Sequence, residues 1–110
     1  MLRQAIRLNP LVPRYYHHFG IACRETGRYE EGIAALKKSL QIAPNDVIAR
    51  VVLVSLYMYA GRDDEARATV TEIQRIDPNF SVARLATWTP WKEGPRRDRF
   101  IDSLHKAGLT

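Results

Sequence analysis

Three prolines frame this chain: Pro10, Pro44 and Pro78 stand 34 residues apart, and Gly27 and Gly61 keep the same interval. The words around them agree. Arg7-Leu8-Asn9-Pro10, Gln41-Ile42-Ala43-Pro44-Asn45 and Arg75-Ile76-Asp77-Pro78-Asn79 align at that period, as do Glu25-Thr26-Gly27-Arg28 and Tyr59-Ala60-Gly61-Arg62. A fixed interval of this size means stacked supersecondary units, each too small to bury its apolar side alone. A chain of 110 residues holds about three of them.

The unit reads as a helical hairpin. From Pro13 to Thr26 the apolar residues Tyr16, Phe19, Ile21, Ala22 and Cys23 recur at helical spacing, and Gly27 supplies the left-handed residue that ends a helix. A second helix is predicted from Tyr29 to Ile42, with Ile33, Leu36, Leu40 and Ile42 on one side. Pro44 stops it, because proline bars the preceding residue from helical geometry. The same plan runs from Val47 to Ala60, through Gly61, then from Asp63 to Ile76 and Pro78. Acids gather where each second helix begins, Glu30 and Glu31, then Asp63, Asp64 and Glu65, at the positive end of the helix dipole. No segment alternates with period two, so the expected class is all-α, without a sheet.

These residues resemble the tetratricopeptide repeat family, whose pattern has a large residue, then Leu-Gly, then Tyr, then Ala, an aromatic and Pro. Residues 13–46 carry Tyr16, Phe19, Gly20, Cys23, Gly32, Leu36 and Pro44 at these positions; residues 47–80 carry Arg50, Leu53, Val54, Tyr57, Ala66, Val70 and Pro78. Cys23, Gly32 and Val54 depart from the pattern but keep a plausible size, and Arg50 is expected to snorkel outward. The resemblance implies a right-handed superhelix of stacked helix-turn-helix hairpins. Residues 13–46 and 47–80 are then two full repeats. Residues 1–10 read as the second helix of a truncated preceding repeat, so the chain is expected to be the C-terminal piece of a longer protein. Residues 81–110 read as a degenerate third repeat and a C-terminal capping helix. In them, Phe80 to Trp88 fits a first helix, Pro90 ends it, Pro95 opens the last helix with Phe100, Ile101, Leu104 and Ala107, and Gly108 closes it.

The tail narrows the expectation further. Phe80-Ser81, Pro90-Trp91-Lys92 and Lys106-Ala107-Gly108-Leu109 are similar to the ending of bacterial signalling proteins in which tetratricopeptide repeats follow a class III adenylate/guanylate cyclase domain. A related set places the repeats after a winged-helix DNA-binding domain. The resemblance implies a regulatory module of such a protein and no catalytic group in these residues.

Residue chemistry points the same way. Asp63-Asp64-Glu65 are consecutive on a helix and diverge, so they are read as a helix start and not as a metal cluster. His17-His18 also diverge, and no zinc-ligand spacing accompanies them or Cys23. Cys23 occupies a core position, where a thiol is inert. Gly94 is a turn glycine beside Pro95, with no phosphate-loop context. No catalytic residue, metal or cofactor is expected. One cysteine excludes an internal disulfide framework, and no apolar run reaches the roughly 18 residues of a membrane span, so a cytoplasmic, membrane-free protein is expected.

Binding is the remaining role. In this family the first helices line a concave face that takes peptides or helices. Carried over by spacing, that groove comprises Arg14, His17, Ile21 and Arg24, then Ile48, Val51, Ser55, Met58 and Tyr59, then Val82 and Leu85. Its mouth is basic and its middle apolar. His17, Ile21 and Val52 stand where the family's clamp for acidic C-terminal peptides has a basic residue and asparagines, so that ligand is not expected. The expected occupant is a protein or peptide helix, the chain's own C-terminal helix, or a second copy giving a homodimer. Nucleic acid is disfavoured. The net charge of +5 divides into +4 over residues 1–28, −2 over 29–79 and +3 over 80–110, and Arg96, Arg97 and Arg99 alternate with Asp98 and Asp102. An accessory phosphate-binding surface of Arg84, Arg96, Arg97 and Arg99 is the alternative.

Overall fold

The computed structural model describes residues 13–88 and 94–110. The helix expected at 1–10 and the Pro90 stop lie outside the described residues. Among the described residues six helices follow one another: α1 (Pro13–Glu25), α2 (Tyr29–Ile42), α3 (Val47–Tyr59), α4 (Asp63–Ile76), α5 (Val82–Trp88) and α6 (Pro95–Lys106). Among the described residues there is no strand. The first four helices match the sequence boundaries to within one residue. α5 starts two residues later than expected, where the Ser81 hydroxyl accepts the Arg84 amide at 3.2 Å and so caps the new helix.

The period is written in the helix ends. Gly27, Gly61 and Gly108 have φ of 77°, 76° and 100°. At each, the amide one residue beyond the glycine bonds back across six residues: Arg28 to the Cys23 carbonyl at 2.8 Å, Arg62 to Tyr57 at 2.7 Å, Leu109 to Leu104 at 3.0 Å. This is the Schellman closure, which uses carbonyls that the helix leaves unpaired. No described residue lies within 4 Å of a Cβ built at Gly27 or Gly61, so alanine there strains the backbone. Gly27→Ala and Gly61→Ala are each expected to cost roughly 1–2 kcal/mol, read as a lowered midpoint in urea unfolding. The ends of α2 and α4 are proline stops. Ala43 and Asp77, just before Pro44 and Pro78, leave the helix with φ of −132° and −135°, the extended geometry that a following proline demands.

α1 pairs with α2 and α3 with α4 as hairpins, and α3 also packs on α1, α2 and α6. Its run from Val51 to Tyr57 is buried at every position, as befits a helix that is apolar on all sides. Small residues permit the close approach. A Cβ on Gly20 would lie 2.9 Å from Leu36 Cδ1, and one on Gly32 would lie 3.0 Å from Cys23 Cβ and 3.1 Å from both Leu56 methyls. Arg50 is half-buried and turns its guanidinium out to the Pro44 carbonyl.

α6 occupies the second-helix register of a third hairpin: Phe100 stands 34 residues after Ala66 and 68 after Gly32. The period therefore places a phenylalanine where the earlier hairpins need a small residue. α6 packs on α3 and α5, and the backbone closes where the Val82 amide donates to the Thr110 carbonyl at 2.8 Å.

Candidate functional site

The face shared by α1 and α3 brings most of the groove residues together, but in three different states. Arg14 is exposed, with its guanidinium 5.8 Å from the Tyr15 ring centroid. His17, Ile21 and Ile48 are half-buried. These four form the open half of the face. Arg24, Ser55, Met58 and Tyr59 lie towards the C-terminal ends of α1 and α3, and there α6 covers the face. Val51, Val82 and Leu85 are 1%, 3% and 6% exposed and belong to the core. Spacing alone had set all eleven along one lining. Val51 is enclosed because α3 packs against four helices.

Arg24 is the centre of the covered half. It is 2% exposed. Its Nε donates to Glu25 Oε1 at 3.1 Å and its Nη1 to Ser55 Oγ at 3.0 Å. Ser55 in turn donates to the Val52 carbonyl at 2.6 Å. The guanidinium carbon lies 4.4 Å from the Phe100 ring centroid and 5.7 Å from that of Tyr59, within cation–π range. Burial pushes the Arg24 guanidinium below its ordinary value, with Tyr59 and Glu25 offsetting part of the effect; arginine remains charged. The basic mouth read from the sequence is thus half-closed, since the charge of Arg24 is met inside the protein.

Tyr59 is held edge-on against Tyr29, with centroids 6.0 Å apart at 85°. The Arg99 guanidinium carbon lies 3.9 Å from the Tyr59 centroid. The Tyr59 hydroxyl is shielded and has no hydrogen-bond partner among the described residues, and burial raises its pKa. Beside it a cleft of about 160 Å³ opens between Met58, Tyr59, Arg99, Asp102, Ser103 and Lys106. Glu25, Arg99 and Phe100 were absent from the groove read by spacing. The available signal was Phe100 itself, a large residue in a small-residue register.

At the other end of the face, His17 Nε2 and Asp46 Oδ2 are 2.6 Å apart. Asp46 also caps α3, its Oδ1 accepting the Ala49 amide at 3.2 Å. One carboxylate therefore joins α1 to the start of the next repeat. Burial opposes ionisation of Asp46, but His17 and the Ala49 and Ile48 amides outweigh it and hold the carboxyl below its ordinary 3.8. A lowered folded pKa means stability that is present above the unfolded value and lost as the pH falls through the folded one. Acidification below pH ~4 is expected to weaken the fold, and Asp46→Asn, which keeps a capping side chain, is expected to flatten that dependence. Urea unfolding at pH 7, 5 and 3.5 measures both. Asp46→Ala also removes the cap, at about 1 kcal/mol at pH 7.

Other polar groups are engaged in structure. Arg62 bridges the two repeats, its Nη1 donating to Glu30 Oε2 at 2.6 Å while its Nε meets Glu65 Oε1 at 2.7 Å. Asp64 faces Arg67 at 3.5 Å, so the acidic run diverges. Among the described residues no three His, Cys, Asp or Glu side chains stand together as a metal site, and Cys23 is buried. Of the arginines named for phosphate contact, Arg84, Arg96 and Arg99 are exposed and Arg97 is half-buried; Arg99 stacks on Tyr59 and Arg96 lies 3.9 Å from Glu25. No described helix is long and apolar enough to cross a membrane.

A family model described as tetratricopeptide repeat matches residues 24–88. No curated protein matches the chain. The model covers more than half of the 110 residues and spans both glycine-capped turns and three of the four helices of the two full hairpins. The chain belongs to the tetratricopeptide repeat family.

Proposed function

We propose that this chain is a non-catalytic docking module whose α1/α3 face takes an amphipathic helix. Tetratricopeptide repeats are protein-interaction modules, and the observation that carries the finer reading is α6 itself. It buries Phe100 and Leu104, which are 3% and 0% exposed, with Phe100 beneath the Arg24 guanidinium. A surface that accepts one helix through an i, i+4 pair has the shape and chemistry to accept another. Ile21 and Ile48 extend the same face beyond α6. The test is a photo-crosslinking residue placed at position 21 or 48, with position 67 on exposed α4 as the control, in the organism that makes the protein. The expected result is one polypeptide captured from both groove positions and not from 67. Equal capture from all three positions defeats the reading.

The finer identity rests on the wording of residues 80–109. It supports a C-terminal regulatory region of an adenylate/guanylate cyclase-type signalling protein, acting in the cytoplasm, where a free thiol such as Cys23 stays reduced. An antibody to this segment is expected to precipitate cyclic-nucleotide synthesis from native extract. A precipitate that binds DNA and makes no cyclic nucleotide favours the winged-helix regulator instead.

A further inference from the structure

We propose that α6 is a displaceable occupant of its seat: a partner helix carrying an aromatic residue and a leucine four positions later takes the places of Phe100 and Leu104 and turns α6 out. The proposal rests on the docking reading above and adds that the site is guarded by a helix of the chain itself.

Three observations lead there. The first is register. The space at Gly32 admits nothing larger without moving Cys23 or Leu56, and Ala66 at the equivalent place is fully buried. Phe100 in that register cannot close a third hairpin as Gly32 and Ala66 close theirs. Its ring goes instead to the α1/α3 face, beneath Arg24. The second is fit. With α6 seated, the Tyr59 hydroxyl is shielded and has no hydrogen-bond partner among the described residues, and a cleft of about 160 Å³ lies beside it. Arg99, over the Tyr59 ring, carries donors only and offers the hydroxyl no acceptor. α6 is therefore an incomplete ligand for this surface. The third is continuity. α6 is 12 residues long, about 18 Å, and the stripe it covers on α3 runs on to half-buried Ile48, with half-buried Ile21 on α1. A partner that also covers these residues buries apolar area that α6 leaves wet. One ion pair between the start of α6 and α1, Arg96–Glu25 at 3.9 Å with Arg96 87% exposed, contributes little.

The experiment uses the full chain and a fluorescein-labelled peptide of residues 94–110 as a stand-in for the partner helix. Anisotropy is expected to show at least tenfold tighter binding to the Phe100→Ala chain than to the unsubstituted chain, because in the latter the tethered α6 competes and lowers the competent fraction. A Phe100→Ala peptide is expected to bind neither. In the unsubstituted chain, saturating peptide is expected to speed amide exchange in α6 and leave α4 unchanged. This second readout decides the matter even if Phe100→Ala fails to fold. Equal affinity for the two chains, or α6 exchange unmoved by bound peptide, overturns the guard. No binding to a Phe100→Ala chain of normal helix content overturns the docking reading itself.

Discussion

Leu36→Ala is expected to lower the unfolding free energy by about 3 kcal/mol, and the melting temperature by about 12 °C for a chain of this size. Leu36 is fully buried, and its isobutyl group lies against the bare backbone of Gly20, where a Cβ would stand only 2.9 Å from Cδ1 and 3.1 Å from Cγ. The packing between the two helices of the first hairpin is thus a knob set on a glycine. Gly20→Val in the unsubstituted protein drives two methyl groups into that knob, at about 2 kcal/mol. In the Leu36→Ala background the same valine meets vacated space. The double-mutant cycle is expected to show coupling above about 0.5 kcal/mol, read by urea unfolding monitored at 222 nm. If Gly20→Val costs the same in both backgrounds, the contact is not what sets the approach of α1 to α2.

The second large effect is expected at Arg24. Alanine there removes the bonds to Ser55 and Glu25 and the cation over Phe100 together, at about 3 kcal/mol. The loss should be local. Arg24 reaches from α1 to Ser55 on α3 and to the Phe100 ring on α6, so amide exchange in α6 is expected to rise far more than in α2 or α4. Arg24→Met separates packing from charge. It restores most of the stem's volume, and Glu25, 25% exposed at its side chain, keeps access to water and is not stranded. Methionine is expected to lose only about 1–2 kcal/mol. Should alanine leave α6 exchange unchanged, Phe100 is held by α3 alone and Arg24 is no clamp.

The contrast between these two sites marks how far the residues could be read in one dimension. Leu36 was legible as core because it recurs with Ile33 and Leu40 at helical spacing. Its partner Gly20 was legible only as a family position, since the methyl contact that forbids a Cβ belongs to the packing of two helices. Arg24 was legible as a groove position but not as a buried cation. Its burial requires the Phe100 ring, 76 residues away, to lie over it. The pairing of His17 with Asp46 was not legible at all. Aspartate before α3 reads as a cap, and nothing in local spacing brings a histidine from the previous repeat to its other oxygen.

By itself, then, the sequence determined the all-α class, the 34-residue hairpin and nearly all its boundaries. Glycine caps, proline stops and helical periodicity act over a handful of residues and need no distant partner. Tertiary structure alone decided where the last helix goes. The period assigns α6 to a third hairpin, but the side chain at the small position is Phe100, and a ring cannot enter the gap that Gly32 and Ala66 fill. Its apolar edge is buried on α3 and under Arg24, so the helix that reads as a cap lies over the α1/α3 face.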